Sequence, residues 1–285
     1  MRLSRAIAVS VLLSVTFVAS THAQGRPKSG AEFPAAKFDS LDRIAFYLWQ
    51  YDSFAWATSD TLAAQLATIG SDAAKRLGEE WFCFKRDSTW HAVYGRFDEA
   101  ADKYDAVAHY TSTGAGGIVR APAFADTALA NRFGRALVTA RHQLPDDIRK
   151  SGLRFNSYVR GREDGGIDVW YVPAWQPNGW IVYGAEFQYT LDGTGRSVRD
   201  SVVQVGQLAG VRPNSTASVN LRTQAPGVAT VAELLFIHLY TRHFAHVRVF
   251  TRDWVTELIR TNGKEAWIHV LREDNPPPAK ARAIN

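Results

Sequence analysis

The order of apolar and polar positions gives this chain a repeating plan. Between Phe38 and Ala57, the apolar residues Leu41, Ile44, Leu48 and Tyr51 recur at helical spacing, with Asp39 or Ser40 placed to cap the start. A second helix is predicted over 58–78, with a serine or aspartate cap, an Ala/Leu-rich body and Gly78 at its end. After Gly78 the period drops to two. Residues 80–97 read as a hairpin turning at Asp87-Ser88, and 103–113 as a third strand.

The same order returns twice. A helix over 125–144, capped by Asp126 or Thr127 and stopped by Pro145, precedes strands near 154–160, 167–173, 180–191 and 196–205. The turns between them, "REDGG", "QPNG" and "DGTG", carry the Gly, Asn and Asp residues that accept positive φ. A third helix over 228–244 leads into short strands at 246–250, 254–259 and 264–271, the last two joined by Thr261-Asn262-Gly263. Residues 104–120 align without gaps on 183–199, sharing Tyr, Ala, Tyr-Thr, two glycines and Val-Arg. The expected fold is therefore α+β: a single domain of helices interleaved with antiparallel β-meanders, in repeated helix-plus-three-strand units.

The two ends of the chain set the compartment and the limits of this domain. Arg2 and Arg5 precede an uncharged apolar run over 6–20, and "THA" at 21–23 supplies small residues for cleavage after Ala23. That layout predicts a signal peptide over 1–23, export to the periplasm or the extracellular space, and no stable membrane insertion after cleavage. Residues 24–36 read as a flexible linker, 37–271 as the globular domain and 272–285 as a proline-rich disordered tail. The net charge of +5 becomes +3 when Arg2 and Arg5 leave, and the basic residues are dispersed, so no nucleic-acid face is expected. Cys83 is the only cysteine, so stability must come from the core rather than from an internal disulfide.

Three groups of residues carry candidate chemistry. Trp175 and Trp180 bracket the Pro-Asn-Gly turn and would form stacking platforms for a sugar or peptide if they flank an exposed hairpin end. With a turn centred near Ala100, Arg96 faces Tyr104 and His91 faces His109, with Asp105 on the same face. Two imidazoles and a carboxylate can hold a metal or move a proton. Finally, His238, His243 and His246 crowd into fifteen residues, "FIHLYTRHFAHVRVF". By period they divide among a buried helix, its basic end and the start of a strand, so no metal is expected there.

The chain lacks HExxH, P-loop, GxGxxG, GxSxG and EF-hand patterns, and no cofactor is expected. The leading expectation is an exported soluble module that binds an unknown ligand or exported partner. A metal-assisted hydrolase using one of the histidine groups is the alternative, and the sequence leaves open whether the protein is an enzyme.

Overall fold

The computed structural model describes residues 32–223, 227–261 and 264–272. The signal-peptide region, most of the linker, all of the tail but Arg272, and Asn262-Gly263 of the last hairpin lie outside the described residues. The first helix, α1 (Ala35–Ile69), begins inside the segment read as linker, runs unbroken from the first predicted helix into the second, and ends short of the predicted stop at Gly78. Its hydroxyl residues explain the continuity. Thr58 donates to the Phe54 carbonyl at 2.8 Å, and Ser59 and Thr61 bond back to Trp56 and Ala57, so they serve the helix rather than start a new one. Gly70, at φ 93°, ends α1, and a short α2 (Ser71–Lys75) follows.

Three four-stranded sheets follow in chain order. The first contains β1 (Phe82–Arg86), β2 (Thr89–Asp98), β3 (Lys103–Ser112) and β4 (Ile118–Arg120), all antiparallel. Helices α3 (Thr127–His142) and α4 (Asp146–Lys150) lead into the second, an antiparallel meander of β5 (Phe155–Gly161), β6 (Ile167–Pro173), β7 (Ile181–Leu191) and β8 (Val198–Val211). Asp126 caps α3, its carboxylate accepting from the Leu129 amide at 3.1 Å.

The third sheet departs from the predicted plan. It opens with β9 (Asn214–Arg222), a strand that sequence reading did not identify. Helix α5 (Val231–Tyr240) and a 3-10 turn at Thr241–His243 connect β9 to β10 (Phe244–Phe250), and these two strands pair in parallel. Next come β11 (Trp254–Thr261) and β12 (Lys264–Leu271), both antiparallel. A helical crossover can join parallel neighbours where a hairpin cannot, so the meander rule fails at this one junction. Helix α5 is also shorter than predicted. A capping box in which Thr230 accepts from the Glu233 amide and Glu233 accepts from the Thr230 amide fixes its first turn. The fold is thus α+β, with four strands per sheet rather than three.

One turn geometry recurs. Gly116, Gly165, Gly179 and Gly195 donate to the carbonyls of Thr113, Arg162, Gln176 and Asp192, three residues back, at 2.9–3.1 Å. All four glycines have φ between 75° and 83°. Of the two Gly matches between 104–120 and 183–199, the pair Gly116 and Gly195 are these turn positions, and both segments occupy the third and fourth strands of their own sheets. Turn chemistry accounts for much of that similarity.

Two hydrophobic clusters hold the domain together. In one, α1 and α5 pack with Cys83, Ala92, Tyr94 and Tyr110 of the first sheet, Tyr158 and Trp170 of the second, and Val219, Val247 and Val249 of the third. In the other, α3 lies between Phe82, Val93, Phe97 and Tyr104 of the first sheet and Val159, Val169, Phe187 and Leu191 of the second. The first two sheets are therefore apolar on both faces, and every residue of β6 is buried. No helix among the described residues is long and apolar enough to cross a membrane.

Candidate functional site

A cleft of about 1420 Å³ opens where α1, the α3–α4 corner, the start of β5 and the end of α5 meet. Helix α1 supplies Trp49, Asp52, Ser53 and Trp56, spaced i, i+3, i+4 and i+7 and so presented as one stripe. The adjoining stripe of Ala45, Leu48, Tyr51 and Ala55 is buried in the core, which fixes the helix's rotation and aims the first stripe at the cleft. Opposite lie Leu137 and Arg141 of α3 and Leu144 just beyond its end, with Trp81 from the segment before β1 and Trp175 from the loop after β6. Four tryptophans thus face one space. Trp56 is 58% exposed, and Trp49, Trp81 and Trp175 are half-buried.

Asp52 is the most unusual group in the cleft. It is only 6% exposed, and no cation is bonded to it among the described residues. The Tyr158 hydroxyl donates to its Oδ1 at 2.8 Å and Asn156 Nδ2 donates to the same oxygen at 3.2 Å. Burial pushes its pKa up to about 6, against the lowering effect of the Tyr158 bond. A carboxyl that changes charge near neutrality, set in an aromatic cleft, is the strongest chemical signal in this structure. Nearby, Arg141 donates to Glu80 at 2.7 Å and to Glu79 at 3.2 Å, tying the Gly78–Trp81 wall to α3.

The sequence candidates meet different fates. Trp175 lines the cleft, its ring edge-on to His243 at 5.2 Å. Trp180 does not line it; this ring packs against Gly210 and lies under the Arg212 guanidinium at 5.2 Å. The two tryptophans therefore do not act as a pair. Their shared turn folds into a tight hairpin with Trp175 bridged to Ile181, so its two sides face different neighbours.

His91 and His109 do meet, but not by the predicted register. Asp98 pairs with Lys103, so Arg96 faces Asp105, and a bulge between Tyr94 and Gly95 shifts His91 opposite Thr111. A Cβ on Gly95 would stand 2.1 Å from the Asp105 carbonyl, so that crowded bulge requires glycine. The diagonal pair still brings His91 Nδ1 to 3.0 Å from His109 Nε2. His109 Nδ1 lies 3.0 Å from the Pro122 carbonyl, and Phe84 stacks on His91 at 4.7 Å. Burial lowers both imidazole pKa values, and for His91 the His109 ring and Arg86 add to the effect. Asp105 is not part of this group, because its carboxylate is paired with Arg76.

The three clustered histidines take three separate partners. His238 donates from Nε2 to Asp42 at 2.8 Å, and Asp42 also accepts from Trp267 at 3.0 Å. His243 lies against Trp175 and accepts from Arg242 at 3.2 Å; burial and the Arg242 charge lower its pKa. His246 faces Glu257 at 2.5 Å on the surface. Among the described residues, no group of three or more His, Cys, Asp or Glu side chains is placed to hold a metal ion.

Asp52 and the tryptophans of α1 escaped the sequence reading. The available signal was Trp-x-x-Asp-Ser-x-x-Trp on a helix whose core stripe was already complete, but periodicity alone does not say what that second stripe faces.

Comparison with known proteins adds little. No protein-family model matches the chain, and no curated protein matches it. A solved exo-β-1,3-galactanase of Phanerochaete chrysosporium, in complex with β-1,3-galactotriose, is similar at 13% identity over 44% of this chain and 26% of that one. The chain thus spans about a quarter of the length of that enzyme, and a TM-score of 0.16 carries no structural argument.

Proposed function

We propose that this is an exported binding protein whose cleft holds an extended saccharide. The observation that carries this reading is the convergence of Trp49, Trp56, Trp81 and Trp175 on one space that also contains Asp52, Asn156 and Ser53. Indole faces match the apolar faces of pyranose rings, and carboxyl, amide and hydroxyl groups between them match the ring hydroxyls. The volume exceeds the roughly 300–1,000 Å³ of ordinary small-molecule sites, which favours several linked units over one. The layout at residues 1–23 supports export, and the dispersed charge offers nucleic acid no surface.

Tryptophan fluorescence of the purified protein, titrated with oligosaccharides of two to six units and with short peptides, tests this reading. Saturable quenching by saccharides is expected, and Trp56→Ala should weaken binding by about 1 kcal/mol, roughly fivefold. Saturation by peptides alone, or by nothing in the panel, would remove the proposal.

The metal-assisted hydrolase alternative retains one favourable observation, the His91–His109 contact at 3.0 Å. Stoichiometric zinc lost on His109→Ala would support it.

A further inference from the structure

The same cleft carries a local excess of positive charge beside Trp175. Of its five arginines, Arg141 is paired with Glu79 and Glu80, Arg149 with Asp146, and Arg260 with Glu265. Arg154 and Arg242 are different: both are exposed, and among the described residues neither meets a carboxylate. Their placement is not incidental. Gln176 is buried, accepts from the Arg154 amide at 3.0 Å, and donates to the carbonyls of Arg154 and Ala174 at 3.1 and 2.6 Å. Those bonds fix Arg154 to the backbone that carries Trp175. On the other side, Arg242 donates to His243 Nε2 at 3.2 Å, and the His243 ring meets Trp175 edge-on. Accepting that bond leaves Nδ1 of the neutral imidazole as its donor.

We propose that Trp175, Arg154, Arg242 and His243 form a subsite for an acidic sugar unit, so that the saccharide taken by this cleft is a carboxylate-bearing one of the uronic-acid type. This rests on the saccharide reading above. The indole receives the ring face, while the two guanidiniums and an imidazole N–H donate to the carboxylate. A guanidinium matches a carboxylate with two parallel donors, and such charge-assisted bonds are about twice as strong as neutral ones. Asp52 lies outside this arrangement. Among the described residues neither arginine is hydrogen-bonded to it, and an acidic unit held by the two guanidiniums sits at the Trp175 end of the cleft.

Calorimetric titration of the purified full chain with a neutral gluco-oligosaccharide, an oligogalacturonate of equal length and a short oligoglutamate tests the assignment. The oligogalacturonate should bind about tenfold more tightly than the neutral chain, with an advantage that shrinks as salt rises. Combining Arg154→Gln with Arg242→Gln should cost that ligand about tenfold or more, whereas Arg252→Gln, 87% exposed and outside the cleft, should change nothing. Circular dichroism on each variant separates lost binding from lost fold. Equal affinity for the neutral and acidic chains, or an acidic preference that survives the double substitution, overturns the acidic subsite and leaves the saccharide reading standing. Binding of oligoglutamate alone, or of none of the three, overturns both.

Discussion

Two buried aspartates show how this fold treats charge in opposite ways. Asp168 on β6 is 1% exposed and fully partnered: Arg160 donates to it at 3.0 Å, Arg162 at 3.2 Å and Thr190 at 2.9 Å. Asp52 on α1 is 6% exposed and has only a tyrosine hydroxyl and an amide, both on one oxygen. The first carboxylate closes a strand network with both of its oxygens engaged. The second keeps an oxygen uncommitted beside open space and resists ionisation because no cation offsets its burial.

The largest test of this contrast is Asp168→Ala. It strips the buried partner from two arginines and should destabilise the protein by about 3 kcal/mol, read from denaturant unfolding. A loss below about 1 kcal/mol would mean that solvent reaches the network and that the contrast is overstated.

Asp52 should behave in the opposite sense. Its folded pKa, about 6, lies above the ordinary 3.8, so the folded state holds the proton more tightly than the unfolded chain does. Its contribution is fully present below pH 3.8 and is lost as pH rises through about 6. Asp52→Asn should remove that loss, leaving the variant about 2 kcal/mol more stable relative to wild type at pH 7.5 than at pH 4. A difference that does not change with pH between the two proteins would contradict the account.

Tyr158→Phe gives the smallest effect. It removes the stronger of the two bonds to Asp52 while leaving the ring in the core, at a cost of about 1 kcal/mol at neutral pH. It should also push the Asp52 titration higher, because the lost bond is the one that lowers its pKa. A carboxyl-resolved NMR titration reads that shift directly.

Much of the fold was legible in the chain because local rules were not overridden. Asp126 caps α3, Asp87 turns a hairpin at φ 56°, and the strand predicted over 264–271 is β12. Misreadings arose where a residue had two uses. Ser59 and Asp60 look like a helix start, yet Ser59 bonds back within α1 and the helix runs on. The His91–His109 contact was anticipated from the wrong register, because the sequence does not announce the bulge at Gly95. Strand β9 went unread since few of its residues are buried, and its parallel partner is reached only through α5.

What the sequence determined by itself was local: which stretches alternate with period two, which with period 3.6, and where glycine lets the chain turn. These follow from backbone sterics and from which side chains avoid water. The tertiary structure alone decided which surfaces meet. It sent His238, His243 and His246 to Asp42, Trp175 and Glu257, and it gathered Trp49, Trp81, Arg154 and Trp175 from distant parts of the chain into one cleft. Periodicity records that a side chain is buried or exposed, but its neighbour across a cleft depends on how the sheets and helices pack.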